Sequence, residues 1–495
     1  MSFQDLLGGF ATVFTPSVLL LALLGCLAGT LIGVLPGLGP VTAVAVLFPL
    51  TTYLDPVAGI IVLASIYYGG MYGGSTTAIL LNIPGEAASI PTALEGNLLT
   101  KRGRGGAALA MAAITSFIAG IIGTLGVWLI GPTLARYALD FGPPEMLGLL
   151  IFSLVTIIGV TSNSLPRSVA ACGIGMLLGA VGFSLSSGAA RLTFGTTELL
   201  QGFDIVPVLM GLFGLAEVTR TILKPPTKLK GALAVGSLRP TRAEFSAGLG
   251  AGIRGTGSGF ALGLLPGMIP TIASFLSFAS EKKRARRRGK SMFGRGAIEG
   301  VSGPEAANNA AAMAGFVPLL CLGIPTGATM ALVLAAMLVY DIIPGPVLFE
   351  QHPDFVASVI ASFFIANVIL LILNLPLVGL WAKLITVPTG ILMSIVAACC
   401  LLGAYLAQNS LVDVWICAIF GIVGWLFTTW EVPIAPLVMG FILGPLVEMR
   451  TEQSIQISPT FFVESPIFMV FIAVTAVSFI FGIRLRRRGI AADED

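Results

Sequence analysis

Between Gly105 and Ala135 the chain carries no aspartate, glutamate, lysine or arginine. A helix of about 20 apolar residues crosses the roughly 30 Å hydrocarbon layer of a bilayer, and this stretch is longer than that. A water-soluble core can bury one such helix, but not the ten or more apolar segments found here. Apolar residues make up 56% of the 495 residues and charged ones only 10%, against roughly 25% charged in a soluble domain. Mean hydropathy is +0.97. The chain therefore reads as an all-α polytopic membrane protein.

Apolar segments fall at 17–35, 56–80, 106–130, 145–162, 168–186 and 204–221, then at 244–265, 297–322, 324–344, 355–375, 387–408, 411–428, 433–447 and 466–483. Several are short or interrupted, so the sequence predicts 10–14 membrane elements. Two further pieces, 38–52 and 268–280, are too short for full crossings and read as re-entrant limbs or half-helices. Met1–Phe14 holds Asp5 and no lysine or arginine. It lacks the basic start of a secretory signal and reads as an interfacial amphipathic helix. Basic clusters at Lys101–Arg104, Arg220–Arg242, Lys282–Arg295 and Arg484–Arg488 are predicted on the cytoplasmic side. The run from Lys282 to Lys290 lies between apolar segments and reads as a topology anchor on anionic membrane lipids, with no module around it for nucleic acid.

An internal repeat runs through the chain. Gly29-Thr-Leu-Ile-Gly33-Val-Leu-Pro36-Gly37-Leu-Gly-Pro40 and Gly259-Phe-Ala-Leu-Gly263-Leu-Leu-Pro266-Gly267-Met-Ile-Pro270 both fit GxxxGxxPGxxP, 230 residues apart. Leu81-Asn82-Ile-Pro84-Gly85-Glu86 then faces Leu322-Gly-Ile-Pro325-Thr326-Gly327 at an offset of 241, and Pro207–Gly211 faces Pro436–Gly440. The predicted organisation is an interfacial segment 1–16, a first repeat 17–222, a cytoplasmic linker 223–243, a second repeat 244–450, and a final helix with basic tail at 451–495. The repeats are expected to be inverted, with parallel repeats as the alternative.

Proline removes a backbone donor and clashes with the preceding turn. Each Pro-Gly pair should thus end one helical limb and begin another, freeing peptide groups that lipid cannot satisfy. An isolated pair reads equally well as a loop turn, and each GxxxG as a packing face. Discontinuous helices at matching positions of two halves point instead to a transport site near the membrane midplane. Polar residues gather beside the breaks: Ser75, Thr76 and Thr77 lead towards Asn82, while Glu305, Asn308 and Asn309 lead towards Pro325, Thr326 and Thr329. Their hydroxyls and amides suit a desolvated cation or a carboxylate. Glu305 reads either as a carboxylate coupling transport to sodium or protons, or as part of a solvated helix start, and Glu86 shares that ambiguity. Arg254 either neutralises an anionic solute or snorkels to the interface.

Other chemistries find little support. Cys26, Cys172, Cys321, Cys399, Cys400 and Cys417 lie in apolar segments without CxxC spacing, and His352 is the one histidine. No metal site, cofactor or catalytic residue is expected, and the chain reads as no enzyme. The GxGxG at 255–259 lacks a preceding strand and a Walker lysine.

The Pro-Gly repeat, the stretch YYGGMYGGSTTAILLNIPG and the stretch GPEAANNAAA…PLLCLGIPTGATMA together resemble the large membrane subunit of tripartite tricarboxylate transporters, the TctA family, over roughly residues 10–480. The resemblance implies a multi-pass bacterial inner-membrane permease that works with a small four-span membrane subunit and a periplasmic solute-binding protein. It also implies sodium- or proton-coupled symport of di- or tricarboxylates. The family's motifs map onto Gly33, Pro36, Gly37, Pro40, Gly263, Pro266, Gly267 and Pro270. Its polar stretches map onto Ser75, Thr76, Thr77, Asn82, Pro84, Gly85, Glu305, Asn308, Asn309, Pro325 and Thr326. A standalone cation-coupled carrier or channel, or a non-transporting scaffold, are the other readings of the residues.

Overall fold

The computed structural model describes residues 1–35, 38–160, 164–184, 187–223, 235–289, 291–377, 380–381 and 389–487. In the first half the main helices are α1 Phe3–Val13, α2 Pro16–Val34, α3 Pro40–Thr51, α4 Pro56–Leu81, α5 Ile90–Lys101, α6 Gly105–Ala138, α7 Pro143–Val160, α8 Leu165–Gly179 and α9 Ile205–Leu223. In the second they are α10 Arg242–Gly263, α11 Pro270–Arg287, α12 Glu299–Ala314, α13 Phe316–Leu322, α14 Ala328–Val339, α15 Pro353–Asn374, α16 Thr389–Gln408, α17 Leu411–Thr429, α18 Ile434–Ile457 and α19 Pro466–Arg487. Among the described residues eight helices are long and apolar enough to cross a membrane and five shorter ones are apolar, in keeping with the 10–14 elements predicted. The only strands described are a two-residue pair, Gly182–Phe183 with Ala190–Arg191. α18 runs on past residue 450, where the second repeat was expected to end.

The short apolar pieces are limbs of hairpins. Pro40 and Pro270 are the first residues of α3 and α11, where a missing N–H costs nothing and φ is already helical. α2 lies on α4 through Gly25, Gly29 and Gly33, which meet the backbone at Val62, Ile66 and Gly70. These contacts advance together, so the two helices run the same way. α3 returns: Pro40 lies beside Gly70, while the Thr51 carbonyl accepts from the Tyr340 hydroxyl, which presses on Gly59. The α2–α3 hairpin therefore has its open end at the start of α4 and its tip far along α4.

The second hairpin repeats this plan. Gly255, Gly259 and Gly263 of α10 meet Gly303, Ala307 and Ala311 of α12, and α11 returns to bring Ser277 and Glu281 against Gly303. Each glycine contact in the first set maps onto one in the second at the offsets of 230 and 241 seen in the sequence. Glycine is needed here because any Cβ would strike the facing backbone.

α4 and α12 cross in opposite senses. Ser75 bonds Glu305 near the end of α4 and the start of α12, and Tyr67 rests on Phe316 further back along α4 and beyond the end of α12. The two hairpins thus open at opposite ends of the molecule. Thr100 of α5 donates to the Ile79 carbonyl and Arg104 pairs with Glu244 of α10, so the clusters at Lys101–Arg104 and Lys282–Arg295 share one end, the basic end.

The halves are interlocked. α6 packs on α10 and α12 through Gly123 against Met313 and Gly126 against Phe260, whereas Gly120 lies against Asn367 of α15. α8 packs on α18 through Gly175 and Gly440, while α17 packs on α9 through Gly211 and Gly424. The N-terminal helix also has a protein partner: Gly9 sits on the backbone of Ala357, and Leu6 and Val13 are buried, while Phe3, Leu7 and Phe14 are exposed.

Candidate transport site

Each hairpin tip meets a second break, so two polar centres form at different depths. At the tip nearer the basic end, Gly33, Gly74 and Gly85 converge so closely that a Cβ on Gly85 would come 2.6 Å from the Gly33 carbonyl oxygen and 2.7 Å from Gly74 Cα. Pro40 opens α3 beside Gly70. Pro36 and Gly37 lie outside the described residues. Pro84 leads to Gly85 and Glu86, and the Glu86 Oε1 accepts from Asn308 Nδ2 at 3.1 Å.

Glu305 is the most deeply placed acid of this centre, 1% exposed. Its two carboxylate oxygens accept from Ser75 Oγ and Thr92 Oγ1, each at 2.6 Å. Asn309 Nδ2 donates to Ser116 Oγ at 2.7 Å and to the Glu305 carbonyl at 2.9 Å. Glu305 is therefore no part of a solvated helix start. Neutral hydroxyls hold it, and among the described residues no lysine, arginine or histidine bonds it. A buried carboxylate in that setting demands a proton or a cation.

Asn82 caps a helix. It is exposed, has φ of 59°, and closes α4 in the left-handed conformation that asparagine tolerates better than most residues. Its counterpart Gly323 closes α13 at φ of 69°. Thr77 donates within its own helix to the Gly74 carbonyl at 3.1 Å, and Thr76 is buried beside Ser75.

At the other tip Gly263 ends α10, Pro266 precedes Gly267 at φ of +80°, and Pro270 opens α11. Gly267 packs on Ser153 and Thr156 of α7, whose buried hydroxyls have no hydrogen-bond partner among the described residues. Gly327, just after Pro325 and Thr326, lies against Ile269, so the starts of α11 and α14 meet there. Thr326 is buried with its hydroxyl beside Gly315. Helix starts present unpaired N–H groups and positive dipole ends. Gly327 occupies the place that Glu86 holds in the first half, and none of these residues is acidic.

Arg254 forms an ion pair within the second hairpin. Its Nε and Nη2 bond the two oxygens of Glu281 at 2.7 and 2.6 Å, joining the limbs of the second hairpin. Ser116, Ser153 and Thr156 escaped sequence reasoning because nothing near them in sequence marks a break, and Thr92 because it lies past the Pro84-Gly85 break, behind Pro91. Glu95 escaped it too: buried on α5, it accepts from the backbone N–H groups of Gly294, Gly296 and Ala297 at 2.6, 2.9 and 2.8 Å. It ties α5 to the turn before α12.

Oppositely opening broken hairpins, with polar breaks buried among apolar helices, define a polytopic membrane transport protein. No solved structure matches the chain. The chain belongs to the tripartite tricarboxylate transporter TctA family, whose pattern matches residues 19–439. It is 40% identical over 494 residues, 98% of each chain, to an uncharacterized 52.8 kDa protein of the TAR-I ttuC' 3' region of Agrobacterium vitis. It is 42% identical over 212 residues to an uncharacterized protein of the TAR-II ttuC' 3' region of the same organism, 42% of this chain and 87% of that one.

Proposed function

We propose that the chain is the large permease subunit of a bacterial inner-membrane system that takes up a small di- or tricarboxylate, driven by sodium or protons. A periplasmic solute-binding protein delivers the cargo and a small four-span membrane subunit completes the complex, as the family implies. The observation that carries this reading is the contrast in side chains between the two tips, acidic at one and neutral at the other. The acidic tip, with Glu305, Glu86 and Asn308, holds the coupling ion. The neutral tip, with Thr326, Ser153, Thr156 and the starts of α11 and α14, accepts a carboxylate of the cargo. The matching glycine contacts and the opposed senses of α4 and α12 support inverted repeats. Alternating access then follows from one hairpin unit moving against the other half.

The test is uptake of a labelled carboxylate into proteoliposomes holding the chain and its small subunit, with the cognate receptor outside. Uptake is expected only under an imposed sodium or proton gradient. Thr326→Val with Thr156→Val is expected to raise KM about tenfold, the scale of one hydrogen bond to a charged group. Uptake that ignores both gradients would reject the coupled mechanism.

A further inference from the structure

The coupled reading above leaves the ion itself open, and a buried polar stripe beside Glu305 addresses it. Ser65, Tyr68, Tyr72 and Ser75 are spaced three, four and three residues apart on α4, which places them on one helix face. All four are buried. Asn367 and Asn374, seven residues apart on α15, share a face of that helix and are buried too. The stripes meet: Tyr68 Oη and Asn367 Oδ1 both press on Gly120 of α6, where a side chain would exclude them.

The lower end of the stripe opens into a cavity beside Glu305, lined by Tyr72, Ser75, Thr76, Ser116, Glu305 and Asn374. About 10 Å³ of it is open to the centre of a water molecule, room for one water-sized occupant and far too little for a tricarboxylate. Tyr72 Oη and Asn374 Oδ1 are buried with no hydrogen-bond partner among the described residues. The amide nitrogens nearby are already engaged, Asn374 Nδ2 with the Leu370 carbonyl and Asn309 Nδ2 with Ser116 and the Glu305 carbonyl. One wall of the space is apolar, from Leu109, Ala112 and Ala113, and the polar groups left on the other are oxygens, with one carboxylate among them.

We propose that this cavity seats one dehydrated monovalent cation of sodium's size, reached along the Ser65–Tyr68–Tyr72–Ser75 stripe. Three features favour a metal cation over a proton. Both Glu305 oxygens accept from hydroxyls at 2.6 Å, an arrangement suited to the ionised carboxylate. The spare partners include the amide oxygen of Asn374, which can only accept. Oxygen donors of this kind, carrying a single negative charge, are what a hard cation prefers. Among the described residues no three His, Cys, Asp or Glu side chains gather, which sets this seat apart from a divalent or transition-metal site. The second half does not repeat the stripe: the counterparts of Ser65, Tyr68, Tyr72 and Ser75 are Ala306, Asn309 and Met313 on α12 and Phe316 at the start of α13.

The experiment is thermal unfolding of the purified chain in detergent, in sodium chloride against equal choline chloride at fixed pH, with no cargo present. Sodium should raise the unfolding midpoint in a saturable way, as a ligand that binds only the folded state must. Glu305→Gln should abolish the rise. Tyr72→Phe and Asn374→Leu should move half-saturation about tenfold higher while leaving the midpoint in choline close to wild type. Equal midpoints in the two salts, or a sodium response that survives Glu305→Gln, would overturn the seat. A proteoliposome driven by a proton gradient alone would also overturn it while leaving coupled uptake standing. Sodium binding intact in a chain that moves no cargo would fault the transport reading and leave the seat in place.

Discussion

At the first break Gly33 lies on Gly70, Pro40 restarts the chain, and a left-handed Asn82 closes the facing helix; at the second, Gly263 lies on Ala311, Pro270 restarts it, and a left-handed Gly323 closes its partner. The backbone scheme is shared, but the side chains set upon it are not. The first centre holds Glu86 and reaches across to Glu305. The second has Gly327 in place of Glu86, and hydroxyls without acids. A pair of like frames can thus serve unlike ligands. Packing constrains the glycines and prolines, which leaves the polar positions free to differ.

The sharpest way to break that contrast is to give the second tip an acid. Gly327 is extended at φ of −178°, and a Cβ there would meet the side chain of Ile269 at 2.9 Å, so Gly327→Glu and the equal-sized Gly327→Gln displace that side chain alike and differ in charge. Like charges about 4 Å apart repel by about 4 kcal/mol at an effective dielectric near 20. Receptor-dependent carboxylate uptake is therefore expected to fall by about a hundredfold or more, while Gly327→Gln, of equal size, keeps most of it. Equal losses in both variants would mean that cargo charge does not visit this tip.

The sequence made the frame legible and the sites only partly so. Breaks announce themselves because proline and glycine have local consequences, and the hydrophobic run of α6 needs no partner to be recognised. Asparagine serves equally as a ligand and as a left-handed cap, and the φ of Asn82 shows the cap, which the sequence alone does not. Glu305 stood out as an acid in an apolar run, yet the hydroxyls that hold it come from residues 75 and 92. The first of these lay in a polar stretch; the second, on α5, follows Pro91, a helix start that by itself says nothing of a partner 213 residues away. Arg254 and Glu281, 27 residues apart, meet only because the Pro266–Gly267 turn folds α11 back on α10.

That ion pair is the second asymmetry. The corresponding positions of the first hairpin are Leu24 and Thr51. Arg254→Leu would strand Glu281, whose side chain is 5% exposed, at a cost of about 3 kcal/mol, the low end for a broken buried pair because Arg254 is partly open to its surroundings. Denaturant unfolding in detergent should show this loss, and Arg254→Leu combined with Glu281→Leu should restore most of it. A single variant as stable as wild type would mean that the limbs of the second hairpin hold without a lock, as those of the first do.

Where the two halves agree, substitutions should agree as well. A methyl group at Gly29 would run into the carbonyl of Ile66, and one at Gly259 into the carbonyl of Ala307. In each case the obstacle is backbone, which cannot rotate aside as a side chain can. Gly29→Ala and Gly259→Ala are each expected to cost about 1–3 kcal/mol by overpacking. Gly173→Ala, on a face of α8 with nothing within 4 Å, should instead gain up to about 1 kcal/mol of helix propensity. Thermal unfolding of the three variants side by side tests the point. Matched losses at residues 29 and 259 would show that both hairpins are seated with the same tightness against α4 and α12. A much smaller loss at one of them would identify the interface that yields, and so the hairpin free to move while the other stays fixed.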